Sequence, residues 1–119
     1  FPEGTRRPPG AEPNYRYGLT RMYMDMDCPV VPIALNAGMY WPRHKFIRYP
    51  GIIRAKILEP IMPGMKGREF AAELERRIEE ACDELYLLSS KDAVCPPLSD
   101  AVKERIAIAE KRLEAAAGE

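Results

Sequence analysis

Cys28-Pro29-Val30-Val31-Pro32-Ile33-Ala34-Leu35 holds a continuous apolar run of strand length over residues 30–35. Apolar side chains at every position, with no polar alternation, predict a strand covered on both faces, as in a parallel sheet. Pro32 lacks an N–H, which restricts it to an edge, a strand start or a bulge. Upstream, Leu19, Met22, Tyr23 and Met26 share one face of a helix over 18–27 that Pro29 stops. Met22 and Met26 are expected in the core and Met24 on another face. Downstream, Ile53, Ala55 and Ile57 alternate with Arg54 and Lys56, a second and weaker strand over 52–58.

The latter part of the chain is helical. Phe70, Leu74, Ile78, Ala81, Leu85 and Leu88 recur at spacings of three and four and predict an amphipathic helix over 68–88. A linker follows, because the tandem Pro96-Pro97 cannot continue a helix. Ser99 is placed to cap a last helix with Val102, Ile106, Ala109 and Leu113 as its stripe. The fold class expected is α/β: part of a mixed, largely parallel sheet with covering helices, followed by C-terminal amphipathic helices. Two strands make a poor sheet, so further strands are expected ahead of Phe1. An incomplete sheet would leave an exposed edge open to pairing with a second copy of the chain.

The chain has 119 residues with 18 Lys and Arg against 18 Asp and Glu. That length bounds it to one domain. The neutral total argues against a nucleic-acid partner, whose footprint is clustered positive charge. It also conceals a division. Residues 1–66 carry ten cations and five anions, a balance of +5, and residues 67–119 carry eight and thirteen, a balance of −5. Residues 1–66 also hold ten of the twelve prolines and eight of the ten aromatics, the mark of a region of loops and strands. Cys28, Cys82 and Cys95 are odd in number and form no CxxC pair, which argues against a disulfide framework or a structural zinc site. No apolar run reaches the ~18 residues of a membrane-spanning helix. The acidic residues of the long helix, Glu73, Glu75, Glu79, Glu80, Asp83 and Glu84, read as a solvated face.

Phe1-Pro2-Glu3-Gly4-Thr5-Arg6-Arg7 is the densest group of chemistry-bearing residues. Arg6 offers a planar fork of donors suited to two phosphate oxygens. Thr5 adds a hydroxyl, Gly4 allows close backbone approach, and Glu3 is placed to hold Arg6. With one carboxylate and no histidine, the set suits a phosphate monoester better than a metal. The plainer alternative is a surface turn whose Arg and Glu pair in solvent, worth about 0–1 kcal/mol. A second segment, Trp41 to Tyr49, interleaves Arg43, Lys45 and Arg48 with aromatic rings. Two readings stand there. One is contact with anionic lipid headgroups, at about 1 kcal/mol per cation near the surface. The other is a loop with packed rings and solvated cations.

Phe-Pro-Glu-Gly-Thr-Arg resembles the third motif of the glycerolipid acyltransferases, the 1-acyl-glycerol-3-phosphate acyltransferase family. Tyr17-Gly18 followed by a helix resembles the family's continuation. Cys28 to Leu35 resembles its fourth motif, a strand centred on Val-Pro, and the stretch from Asn36 to Tyr49 is similar to bacterial members. The resemblance covers residues 1–88, the C-terminal part of the acyltransferase domain. Residues 89–119 are expected to be a linker and helical tail.

The resemblance implies acyl transfer from acyl-CoA or acyl-carrier protein to lysophosphatidic acid, giving phosphatidic acid in phospholipid synthesis. It implies no further cofactor and no metal. By the same resemblance Glu3, Gly4, Thr5 and Arg6 bind the acceptor phosphate, Val31 and Pro32 lie on the acyl-donor side, and Trp41, Arg43, Lys45 and Arg48 face the membrane. The location implied is peripheral, on the cytoplasmic face of the inner membrane. The family's general base is the His of a His-x4-Asp dyad. Here the only histidine is His44, Tyr49 stands where the dyad has Asp, and both follow the third motif rather than preceding it. No catalytic residue is therefore assigned in this chain, His44 reads as an exposed loop residue, and the chain is expected to be inactive alone. The alternative is a non-catalytic module that binds lipid phosphate or a membrane surface. A third possibility is an interaction protein built on the two C-terminal helices.

Overall fold

A computed structural model of the chain describes residues 1–118. The elements are α1 (Tyr17–Met26), β1 (Ile33–Leu35), α2 (Ala37–Tyr40), β2 (Ala55–Ile57), α3 (Gly67–Ser90) and α4 (Asp100–Ala117). The 24-residue α3 is the spine, and the other elements lie along it. At 1.5 Å per residue it is about 36 Å long.

The sheet is a two-stranded antiparallel ribbon with Ile33 opposite Ile57, Ala34 opposite Lys56 and Leu35 opposite Ala55. An isolated bridge between Val30 and Ile61 extends the pairing. The fold is thus mixed α/β, but the expected largely parallel sheet is not what forms. A parallel pair needs a crossover on a covering helix, whereas residues 36–54 simply turn the chain back beside itself. Nor is the apolar run covered on both faces. Ala34 is fully buried, against Ala81 and Leu85 of α3, while Ile33 and Leu35 point away and are about half exposed. Pro32 sits immediately before β1, where its carbonyl accepts from the Leu58 N–H at 2.9 Å and no donor is required of it. The outer edge at β2 has all three residues exposed. Lys56 stands in that edge and pairs with Glu84 of α3 at 3.1 Å, a placement that discourages strand addition.

α1 ends at Asp27 in the left-handed region, with φ 48°. Its buried face is not the one expected. Tyr23 and Thr20 are buried, but Met22 and Met26 are 56% and 61% exposed and do not join the core. The helix meets α3 through the Tyr23 ring, stacked on Phe70 with centroids 3.8 Å apart, with Leu19 packed in the same cluster. The Tyr23 hydroxyl donates to the Met62 carbonyl at 2.6 Å and accepts from the Met65 N–H at 3.0 Å. At the start of α3, a Cβ on Gly67 would lie 3.0 Å from the Met24 sulfur and 3.1 Å from Thr20 Cγ2. A bare α-carbon lets the two helices approach.

The α3 stripe forms as the spacing predicts, except that Leu88 is exposed and Tyr86 and Leu87 are buried. These two face α4 and α2 and form a cluster with Met39, Tyr40, Val102, Ile106 and Ala109. Ser99 caps α4, its hydroxyl accepting from the Val102 N–H at 3.2 Å. Leu113, assigned to the stripe, is exposed near the helix end.

A buried polar junction ties the ribbon to the end of α3. Asn36 donates to Ser89 Oγ at 2.6 Å and its side-chain oxygen accepts from the Arg54 N–H at 2.7 Å. Arg54 also donates to Ser89 Oγ and forks onto Asp92 at 2.7 and 2.9 Å, which holds the Asp92 carboxyl below the usual carboxylate range. Losing the Asn36 amide would strand buried partners, at about 1–3 kcal/mol. Asn36→Ala should therefore lower unfolding free energy by about 2 kcal/mol in urea titrations, while Met22→Ala should change it by less than about 0.5 kcal/mol.

Candidate functional site

Residues 1–16 form a loop closed on itself. The Gly4 N–H donates to the Phe1 carbonyl, the Ala11 N–H to Pro8 and the Arg16 N–H to Pro2, at 3.0, 3.1 and 2.8 Å. Glu3 is the internal tie: its carboxylate accepts from the Asn14 N–H at 2.9 Å and lies 3.5 Å from Arg7. Gly10 adopts φ +80° where the loop crosses the start of α4, and a Cβ there would come within 2.8 Å of the Ala101 backbone. Only glycine meets both conditions.

Between this loop, the outer face of β1 and the side of α3 lies an open groove of about 610 Å³. Val31, Ile33 and Leu35 supply an apolar wall, Leu74 and Ile78 of α3 another, and Glu3 and Arg7 stand at its polar end. The apolar identity of β1's outer face, unexplained by a covering layer, is explained by this groove. Glu3, Val31 and Pro32, nominated separately from the sequence, all line it. Gly4, Thr5 and Arg6 lie on the adjoining turn and are not part of the lining. Glu3 pairs with Arg7 rather than with Arg6, contrary to expectation. Arg6 is exposed, and among the described residues its guanidinium has no hydrogen-bond or ion-pair partner. Its carbonyl accepts from Arg43 Nη1 at 3.2 Å, which fastens the 41–49 segment to this turn. His44 is exposed at φ 58° and stands outside the groove.

Tyr15 and Glu79 of the groove lining belong to a charge cluster that sequence reading missed. Tyr15 donates to Glu79 Oε1 at 2.8 Å. Arg105 of α4 donates to Glu79 Oε2 at 3.2 Å, to Asp83 Oδ1 at 3.1 Å and to the Ala11 carbonyl at 3.2 Å. Arg112 lies 3.9 Å from Asp83. One guanidinium thus joins α3, α4 and the N-terminal loop. The acidic face of α3 is not uniformly solvated: Asp83 is 3% exposed. Its spacing of four from Glu79, together with two arginines seven apart on α4, was the available signal. Burial raises the Tyr15 hydroxyl above its ordinary range and the Cys82 thiol to about 11, which leaves that groove-lining thiol unreactive.

Over 79 residues, 66% of its length, the chain is 40% identical to a 1-acyl-sn-glycerol-3-phosphate acyltransferase of Pseudomonas aeruginosa. The resemblance to that family holds. The chain spans 31% of that relative's length. No family model matches the chain, and no solved structure matches it.

Burial pushes the Asp83 carboxyl up to about 6 against the pull of Arg105 and Arg112. A carboxyl raised in the folded state contributes stability that is full below its unfolded value of 3.8 and is lost as pH rises through about 6. Asp83→Asn should abolish this dependence. The stability of the native chain relative to the variant should fall by up to about 3 kcal/mol between pH 4 and pH 7, measured by urea unfolding at each pH.

Proposed function

We propose that this chain is the acceptor- and acyl-binding part of a 1-acyl-sn-glycerol-3-phosphate acyltransferase. The groove carries the proposal, because it sets an apolar channel beside a turn with an unpaired arginine. Lysophosphatidic acid is a phosphate monoester attached to an acyl chain, so its two ends match those two surfaces. Arg6 would fork onto phosphate oxygens with Thr5 and the Gly4 backbone beside it, while Glu3 keeps the turn in shape through Asn14 and Arg7. The wall of Val31, Pro32 and Ile33 would take acyl chain from the donor side.

In the proposed reaction the free hydroxyl of lysophosphatidic acid attacks the thioester of acyl-CoA or acyl-carrier protein. A C–O bond forms, the C–S bond breaks, and the thiolate leaves and takes up a proton. The hydroxyl proton needs a base within hydrogen-bond reach. His44 does not line the groove and is followed at the dyad position by Tyr49, so we assign it no role in proton transfer. The base would come from outside this chain. Its proposed station is the cytoplasmic face of the inner membrane, held peripherally. Among the described residues no helix is long and apolar enough to cross a membrane.

The missing dyad also favours a second reading, in which the chain binds lipid phosphate without catalysis. Two measurements separate them. The chain should bind lysophosphatidic acid at least about tenfold more tightly than the matching monoacylglycerol, and Arg6→Ala should remove that preference, since a charge-assisted bond contributes about 1.5–3 kcal/mol. Equal binding of the two lipids would sink both readings. Acyl transfer should be undetectable with the chain alone and should appear when a segment bearing a His-x4-Asp dyad is supplied. No rescue by any such segment favours the binding module.

A further inference from the structure

The segment after α2 is a knob braced by its own contacts. At its base the Tyr49 N–H donates to the Tyr40 carbonyl at 2.8 Å. Within it, Arg48 Nη1 donates to three successive carbonyls, of Lys45, Phe46 and Ile47, at 2.8, 3.0 and 3.2 Å. The same guanidinium lies over the Trp41 ring, 4.3 Å from its centroid. His44 makes the reversal in the left-handed region. The carbonyls of Lys45, Phe46 and Ile47 are thus satisfied within the loop, and the side chain left at the tip is Phe46, fully exposed, with Trp41 and Ile47 half exposed beside it. Residues 41–49 contain Arg43, Lys45 and Arg48 and no acidic residue.

An ordered loop that holds a phenylalanine wholly in water, inside a collar of cations, is complementary to one kind of surface. Aromatic side chains settle at the bilayer interface, and anionic headgroups attract a cluster of lysines and arginines. A protein partner would need about 800 Å² of matching surface on this side, far more than one loop tip offers. We propose that residues 41–49 dock the protein on an anionic bilayer, with Phe46 entering the interface and Arg43 and Lys45 against the headgroups. Arg48 would instead act from within, holding the loop in shape. The Arg43 bond to the Arg6 carbonyl sets the docked knob beside the turn assigned to the acceptor phosphate. The value of that proximity to the enzyme rests on the proposed function; the docking does not.

Trp41 is the chain's single tryptophan, so intrinsic fluorescence reports on this loop. Vesicles of phosphatidylcholine with and without phosphatidylglycerol, both free of lysophosphatidic acid, serve as probes. The chain should co-sediment with the anionic vesicles, with a blue shift of Trp41 emission, and should release at high salt. Phe46→Ser should weaken partitioning about tenfold or more with an unchanged melting temperature. Lys45→Glu should weaken it about twenty-five-fold, two charges at roughly fivefold each. Arg6→Ala should weaken vesicle binding by no more than about fivefold, one cation near the surface, with the Trp41 shift retained, whereas it should remove the lysophosphatidic acid preference, and that contrast separates a failure here from a failure of the phosphate assignment. Sedimentation without a Trp41 shift, Phe46→Ser binding like the native chain, or equal binding to neutral vesicles would each overturn the proposal, as would no binding at all.

Discussion

Ala34 pressed without exposed surface onto Ala81 and Leu85 is the contact on which the remaining geometry depends. A ribbon has a side-chain period of two, so choosing which residue faces the helix fixes every other residue's face. The small Ala34 and Ala81 allow strand and helix to approach. Ile33 and Leu35 then turn outward together and become the wall of the groove. The same placement brings Asn36 over Ser89, so that a short ribbon, marginal alone, is anchored at its end by buried hydrogen bonds.

The other side of the groove is held by charge. The N-terminal loop has few apolar residues to bury, and its position follows from the Tyr15 hydroxyl on Glu79 and the Ala11 carbonyl on Arg105. Arg105 links that loop to both long helices. A cluster shielded from solvent holds its geometry better than a surface pair, whose net worth is about 0–1 kcal/mol. Removing one member would leave charge behind in a place where it is costly. The N-terminal loop is thereby tied to both long helices.

Much of the helical architecture was legible because its signals are local. Phe70, Leu74, Ile78, Ala81 and Leu85 declare α3 by spacing, and Ser99 declares the start of α4 by its capping hydroxyl. The four-residue α2 was invisible, since so short a segment shows no period. Strand direction was misread for a physical reason: a β-residue facing a groove and one facing a second layer of helices are both apolar. Met22 and Met26 were misplaced because α1 turns the face of Leu19, Thr20 and Tyr23 toward α3. At the site, residue chemistry could nominate Glu3, and the family resemblance Val31 and Pro32. They could not show that Glu3 would pair with Arg7 and leave Arg6 open.

The sequence by itself determined the three longer helices, the cap, the division between a cationic loop-rich half and an acidic helical half, and the resemblance to the acyltransferases. These follow from spacing, local hydrogen bonding and ordered motifs, all of which lie within a few residues of one another. Only the tertiary structure decided which face of the apolar strand meets α3, that the ribbon is antiparallel, that Asp83 is buried rather than solvated, and that Phe46 stands alone at the tip of a braced loop. Each of these depends on partners tens of residues apart. Their contact is a property of packing, which a pattern of neighbours in the chain does not contain.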